Sequence, residues 1–163
     1  MTRRLRAGML VLVVLLVAAL VALVVLWRHD ADLTRTRDLA VAEHDATRAA
    51  SRIAVSMTSY DYRTVDEDFA WIDQDGTSRF QKTFSESTKP IRQLITRTRA
   101  TATGKVSDAA GTADDVDHVE VLLFVDQELR RAGDAKSSLD SNRVVMQMVH
   151  EGGRWLVDDV ELR

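Results

Sequence analysis

His118-Val119-Glu120-Val121-Leu122-Leu123-Phe124-Val125-Asp126-Gln127-Glu128-Leu129 is the stretch that decides the fold. Val119, Val121, Leu123 and Val125 repeat at period two, which is the spacing of one face of a strand. Leu122 and Phe124 make the second face apolar as well. The stretch is therefore expected to be a central strand covered on both sides.

The same period continues on either side. Upstream, Ala100, Ala102, Gly104 and Val106 alternate with Thr101, Thr103 and Lys105, and an acidic turn at Asp114-Asp115 separates that strand from the central one. Downstream, 132–140 reads as a polar loop and 143–150 as a third strand. Glu151-Gly152-Gly153 reads as a tight hairpin turn, because such turns need positive φ. Residues 155–162 form the fourth strand.

Before Ala100 the period is helical. Leu39, Ala42, Ala46, Ala49, Ile53, Met57 and Tyr60 recur at steps of three and four, one apolar stripe on an amphipathic helix over about 31–59. Alanine dominates that stripe, so a neighbour is expected to pack close against it, as a sheet does. A coiled-coil stalk is the alternative, but alanines make weak knobs. Thr64 and Glu67 have capping-box spacing for a short helix to about Ile72. Thr77 or Ser78 can cap the next helix, which carries Phe80 and Phe84, and Pro90 is expected to interrupt or restart it before about Arg97. Helices followed by antiparallel strands indicate α+β, with helices on one face of a curved sheet of about four strands.

Residues 7–27 hold no charge, and as a helix they would span about 30 Å, the hydrocarbon thickness of a bilayer. Arg3, Arg4 and Arg6 precede them, and Trp27, Arg28 and His29 close them. The charge bias predicts a single-pass anchor in the cell membrane, with 1–6 cytoplasmic and about 135 residues, 28–163, as one extracytoplasmic domain. That domain has a helical part over 31–98 and a sheet over 100–163. A cleaved signal peptide is the rival, but its apolar region typically runs ~7–15 residues, and no Ala-x-Ala site follows this one.

Residues 1–28 hold four arginines and no acid, so the remainder carries 18 basic and 25 acidic residues. That balance argues against nucleic acid as a partner. With no cysteine there is no disulfide framework and no thiol chemistry.

Four stretches together resemble a known family. They are 59–68 (Ser-Tyr-Asp-Tyr-Arg-Thr-Val-Asp-Glu-Asp), 89–98 beginning Lys-Pro-Ile, 121–128 (Val-Leu-Leu-Phe-Val-Asp-Gln-Glu) and 153–160 (Gly-Arg-Trp-Leu-Val-Asp-Asp-Val). A long helix, a tyrosine-containing hinge, short helices and then long strands resemble the cone of nuclear transport factor 2. More narrowly, they resemble the Mce-associated membrane proteins of actinobacteria. The resemblance implies an NTF2-like cone behind a transmembrane anchor. It also implies a non-catalytic accessory role, supporting Mce complexes that import lipids and sterols. A looser likeness is to the assembly-factor domain of type IV secretion systems, which implies a scaffold.

Some cones of this superfamily are enzymes of the SnoaL-like kind, in which an Asp base and a Tyr donor suit proton abstraction beside a carbonyl. Tyr60, Asp61, Tyr62 and His150 are the candidate pocket or hinge residues here, with Asp66 as a further carboxylate. An Asp at a helix end commonly satisfies backbone N–H groups, however, and His150 adjoins a turn. The expectation is no catalytic residue and no cofactor. The four histidines lack metal-ligand spacing, no Gly-x-Ser-x-Gly occurs and no glycine-rich phosphate loop occurs. Trp71, Trp155, Phe69, Phe80, Phe84, Phe124, Met57, Met146 and Met148 serve either as plain core or as the lining of a site for a hydrophobic ligand.

Overall fold

The computed structural model describes residues 34–163, and the expected anchor at 7–27 lies outside them. Among the described residues no helix is long and apolar enough to cross a membrane. The chain divides into two compact units, 1–38 and 39–163. Of the first, only 34–38 are described, and they are helical.

The second unit is α+β. Its part, 39–58, of helix α1 (34–58) leads into a two-residue strand β1 (Tyr60–Asp61). Two short helices follow, α2 (Val65–Asp68) and α3 (Trp71–Asp75), and then a long one, α4 (Ser78–Thr98). Strands β2 (Thr101–Ala113), β3 (His118–Arg130), β4 (Ser138–Glu151) and β5 (Arg154–Leu162) complete the chain. All five strands form one antiparallel sheet in the order β1-β2-β3-β4-β5.

The alanine stripe does what its composition predicts. Of the stripe, Ala46 is fully buried, with Ala42, Ala49 and Ile53 nearly so, and Ala50 and Ala54, which the stripe did not include, are fully buried beside them. α1 lies so close over β2 that a β-carbon added at Gly104 would come 1.8 Å from Thr58 Oγ1, and one at Gly111 would come 2.6 Å from Thr47 Oγ1. Small residues on both elements permit this approach. α1 and the residue that follows it also satisfy β2's outer edge, since the Ala113 N–H donates to Glu43 Oε1 of α1 and the Gly104 N–H to Ser59 Oγ, each at 3.0 Å.

The core sits between the helices and the inner sheet face. Val119, Val121, Leu123 and Val125 of β3 face Val144, Met146 and Met148 of β4 and Ile53, Trp71, Ile72 and Phe80 of the helices. β3 is central, as expected. Its second face is not covered, however: Leu122 and Phe124 are 36 % and 40 % exposed. Only Val145, cross-strand from Leu122, is buried on that side.

Four further expectations need correction. The sheet has five strands, because Tyr60–Asp61 pair with Ala102 and Thr101. The capping box does not form: Thr64 makes no cap bond, and its hydroxyl donates instead to Asp68 Oδ2 at 3.0 Å. α4 is not interrupted, since Pro90 sits inside one continuous helix. There its ring is exposed and only one backbone donor is lost. The loop before β4 is shorter than read, because pairing with β3 begins at Ser138.

Two turn readings hold. Thr77 caps α4 by accepting from the Phe80 N–H at 3.2 Å. Gly152 and Gly153 both take positive φ, 59° and 78°, in the β4–β5 turn.

Candidate functional site

An apolar cavity of about 280 Å3 opens between the end of α1, α4 and the inner sheet face. Met57, Tyr60, Phe69, Trp71, Phe84 and Val144 form its walls, and Ile91 and Leu162 stand at its rim. The rim side chains are exposed, 50 % for Ile91 and 70 % for Leu162. Aromatic packing sets the walls: Phe80 stacks on Phe84 at 4.5 Å, and Trp71 meets Phe84 edge-on at 5.6 Å. Beside them Arg92 lays its guanidinium over Phe69 at 4.8 Å and reaches Asp66 at 3.4 Å. The polar groups at the wall include Thr88, whose hydroxyl donates to the Ser85 carbonyl, and Gln127, whose Nε2 donates to the Thr58 carbonyl at 2.8 Å.

The candidate residues do not come together. Tyr60 lines the cavity, and burial raises its phenol above the ordinary value. Asp61 faces outward, and its carboxylate accepts from both the backbone N–H and the guanidinium of Arg63. The side-chain hydrogen bond from Arg63 holds the Asp61 carboxyl down at about 2. Tyr62 lies under the Arg63 guanidinium, 5.8 Å from its ring centre, and packs against the core edge. Asp66 is exposed and, among the described residues, pairs with Arg92 alone. His150 is elsewhere, in a polar recess with Arg48, Arg52 and Arg154. Its Nδ1 lies 3.3 Å from Asp117, and its ring tilts against Trp155 at 5.1 Å. Met57, Phe69, Trp71 and Phe84 were among the candidate lining residues and do line the cavity. Sequence reasoning missed Ile91, Leu162 and Gln127, which reach the cavity from three different elements. Among the described residues no group of three or more His, Asp or Glu side chains is placed to hold a metal ion.

A second recess, of about 260 Å3, adjoins the cavity at Phe84. Phe80 and Thr83 of α4 and Asp158 and Asp159 of β5 line it. Asp158 accepts from Thr77 Oγ1 at 2.7 Å and binds Arg79. Burial raises the Asp158 carboxyl, but the Arg79 and Thr77 hydrogen bonds outweigh it, so its pKa lies below the ordinary value.

Long α1, short helices and a curled five-stranded sheet around an open apolar cavity define the class: an NTF2-like cone. Solved structures with this fold include an IcmL-like type IV secretion system protein from Legionella pneumophila. It matches with a TM-score of 0.63 at 9 % identity, over 72 % of this chain and 88 % of that one. CagV, a VirB8 homolog of Helicobacter pylori, matches with a TM-score of 0.58 at 11 % identity, over 74 % and 97 %. The sequence itself matches, over residues 5–163, the family described as "Uncharacterized protein Rv1363c/MT1408-like", and the chain belongs to that family. A Mycobacterium tuberculosis relative, outer membrane protein Rv1973, is 29 % identical over 131 residues, 77 % of this chain and 78 % of that protein.

Proposed function

We propose that the chain is a non-catalytic envelope protein, held at the membrane by residues 7–27, whose cone works through contacts with other proteins. One observation carries this reading. The candidate acid–base groups are dispersed, Asp61 and His150 being tied to Arg63 and Asp117 away from the cavity, while the cavity's own rim is an exposed apolar edge at Ile91 and Leu162. An enzyme needs its reactive groups converging on a bound substrate. A docking surface needs exposed apolar area beside polar groups. An anchor would keep the cone near its partner, so a modest interface suffices.

The narrower reading is an accessory role beside an Mce-type lipid or sterol importer, and the resemblance at 59–68, 89–98, 121–128 and 153–160 supports it. A scaffold role in a secretion assembly is the alternative, and the names of the Legionella and Helicobacter structures support that. The relative named as an outer membrane protein supports an envelope location. A second reading, a bound hydrophobic ligand, is favoured by the cavity of about 280 Å3.

Mild-detergent isolation of the full chain from its own envelope tests these readings. Reproducible co-isolation of a protein in stoichiometric amount is expected, and importer or secretion subunits among the partners decide between the narrower readings. A chain that isolates alone with lipid in its cavity, or that turns over a substrate, contradicts the proposal.

A further inference from the structure

Deepening the protein-contact reading, we infer that the outer edge of β5 and the adjoining cavity together take an extended segment of a partner, added as a sixth strand, with apolar and basic side chains in alternation. The two edges of the sheet are treated differently. Along β2, which is outermost beyond the two-residue β1, the Glu43 carboxylate of α1 and the Ser59 hydroxyl just after α1 accept from the Ala113 and Gly104 N–H groups. At β5, only the start is covered, where the Thr77 N–H donates to the Val157 carbonyl at 2.8 Å.

The ladder register shows what remains. Arg143 and Arg163 exchange both backbone hydrogen bonds, so Glu161 also faces β4, while Val160 and Leu162 turn their N–H and C=O outward. No partner among the described residues reaches those four groups. Unpaired edge groups of this kind are a template for strand addition.

Side-chain chemistry at the edge defines the partner. Val160 and Leu162 share the inner sheet face with Val144 and Met146, their cross-strand neighbours. A sixth strand would therefore set every second side chain toward the cavity rim at Ile91, Leu162 and Phe84. Its other side chains would lie beside Asp159 and Glu161. Glu161 is shared with Arg163, whereas Asp159 has no ion-pair partner among the described residues. Lysine or arginine fits there. The same carboxylates oppose a second copy of this chain, which would set acid against acid.

The test uses the full chain in phosphatidylcholine nanodiscs and capped nonapeptides. The probe is alternating Lys and Val, and the controls are alternating Glu and Val and an N-methylated Lys–Val peptide. Leu162→Pro removes an N–H that the fold does not use, and Leu162→Ala controls for the lost side chain. The Lys–Val peptide should bind at least tenfold tighter than either control and should protect the outward Val160 and Leu162 amides from hydrogen exchange. Leu162→Pro should lower affinity a further several-fold below Leu162→Ala, with unchanged circular dichroism, and Asp159→Lys should reverse the preference toward the Glu–Val peptide. Equal binding of all three peptides, no binding, indifference to Leu162→Pro, or protection of this edge by self-association overturns the inference. The protein-contact reading fails separately, if the chain isolates from its envelope without protein partners.

Discussion

Gly104 on β2 lies directly beneath Thr58 on α1, so closely that a β-carbon at position 104 would sit 1.8 Å from the threonine oxygen and 2.6 Å from its Cβ. The Thr58 hydroxyl cannot simply swing away without loss, because it donates to the Ala54 carbonyl at 2.6 Å. Gly104→Ala should therefore destabilise the domain by about 1–3 kcal/mol, the usual range for overpacking. Pairing it with Thr58→Gly should recover part of that loss, since contacting sites couple. Chemical denaturation of the two single variants and the double variant checks this, and additive losses would show that the contact is not the cause.

Thr77 joins α4 to β5 through three bonds. Its hydroxyl accepts from Phe80 N–H and donates to Asp158, and its own N–H donates to the Val157 carbonyl. Thr77→Ala should cost about 2 kcal/mol, summing a lost N-cap and a lost bond to a carboxylate. Thr77→Ser should cost much less. Asp158 has a folded pKa below its ordinary value of 3.8. Its contribution is thus fully present above pH 3.8 and is lost as pH falls through the lower folded value. In Asp158→Asn that acid-side loss should shrink, as read from unfolding midpoints between pH 2 and 5.

The β2–β3 turn has two titrating groups of opposite sign. The Asp117 N–H, and then His118, hold Asp115 below 3.8, while Asp115 holds His118 above 6.5. The Asp115 contribution is full above pH 3.8 and lost as pH falls further. The His118 contribution is full below pH 6.5 and lost as pH rises through the raised folded value. Both are present in full only between pH 3.8 and 6.5. NMR titration should place the His118 ring above 6.5, and Asp115→Asn should return it toward that value.

Pro90 lies inside α4, exposed, between Thr88 and Ile91 of the cavity wall. A proline in a helix interior costs roughly 3 kcal/mol relative to alanine. Pro90→Ala should therefore stabilise the domain, by about 1–2 kcal/mol if the helix has partly adapted to the ring. A thermal melt measures it. A loss instead would mean that the backbone at Pro90 is required to shape the cavity.

Legibility in the sequence followed the range of the interaction involved. The α1 stripe told of a close-packed neighbour because alanine at every helical step has that one physical use, and the Gly152-Gly153 turn declared itself through backbone freedom. Which glycines would receive the alanines was not readable. It depends on the register of β2, where a bulge between Val106 and Asp108 shifts the inward set from Gly104 to Gly111. The Tyr60–Asp61 strand was hidden too, since two residues make no period. Leu122 and Phe124 misled because apolarity does not say whether a face is covered within the chain. The cavity was half legible: its aromatic wall is local to 69–84, but Gln127 and Leu162 arrive through the sheet. Pro90 carried the wrong weight because an exposed proline costs a helix one donor, which tertiary packing elsewhere along α4 outweighs.

Photo-cross-linking in the native envelope addresses the central claim most directly. A photoreactive residue replaces Ile91 at the cavity rim in one full-length variant and the equally exposed Val116 on the β2–β3 turn in another. The account predicts a discrete protein adduct from position 91, absent from 116 and lost when Leu162→Pro is added. Adducts to lipid alone at position 91, or the same proteins captured from both positions, would contradict it.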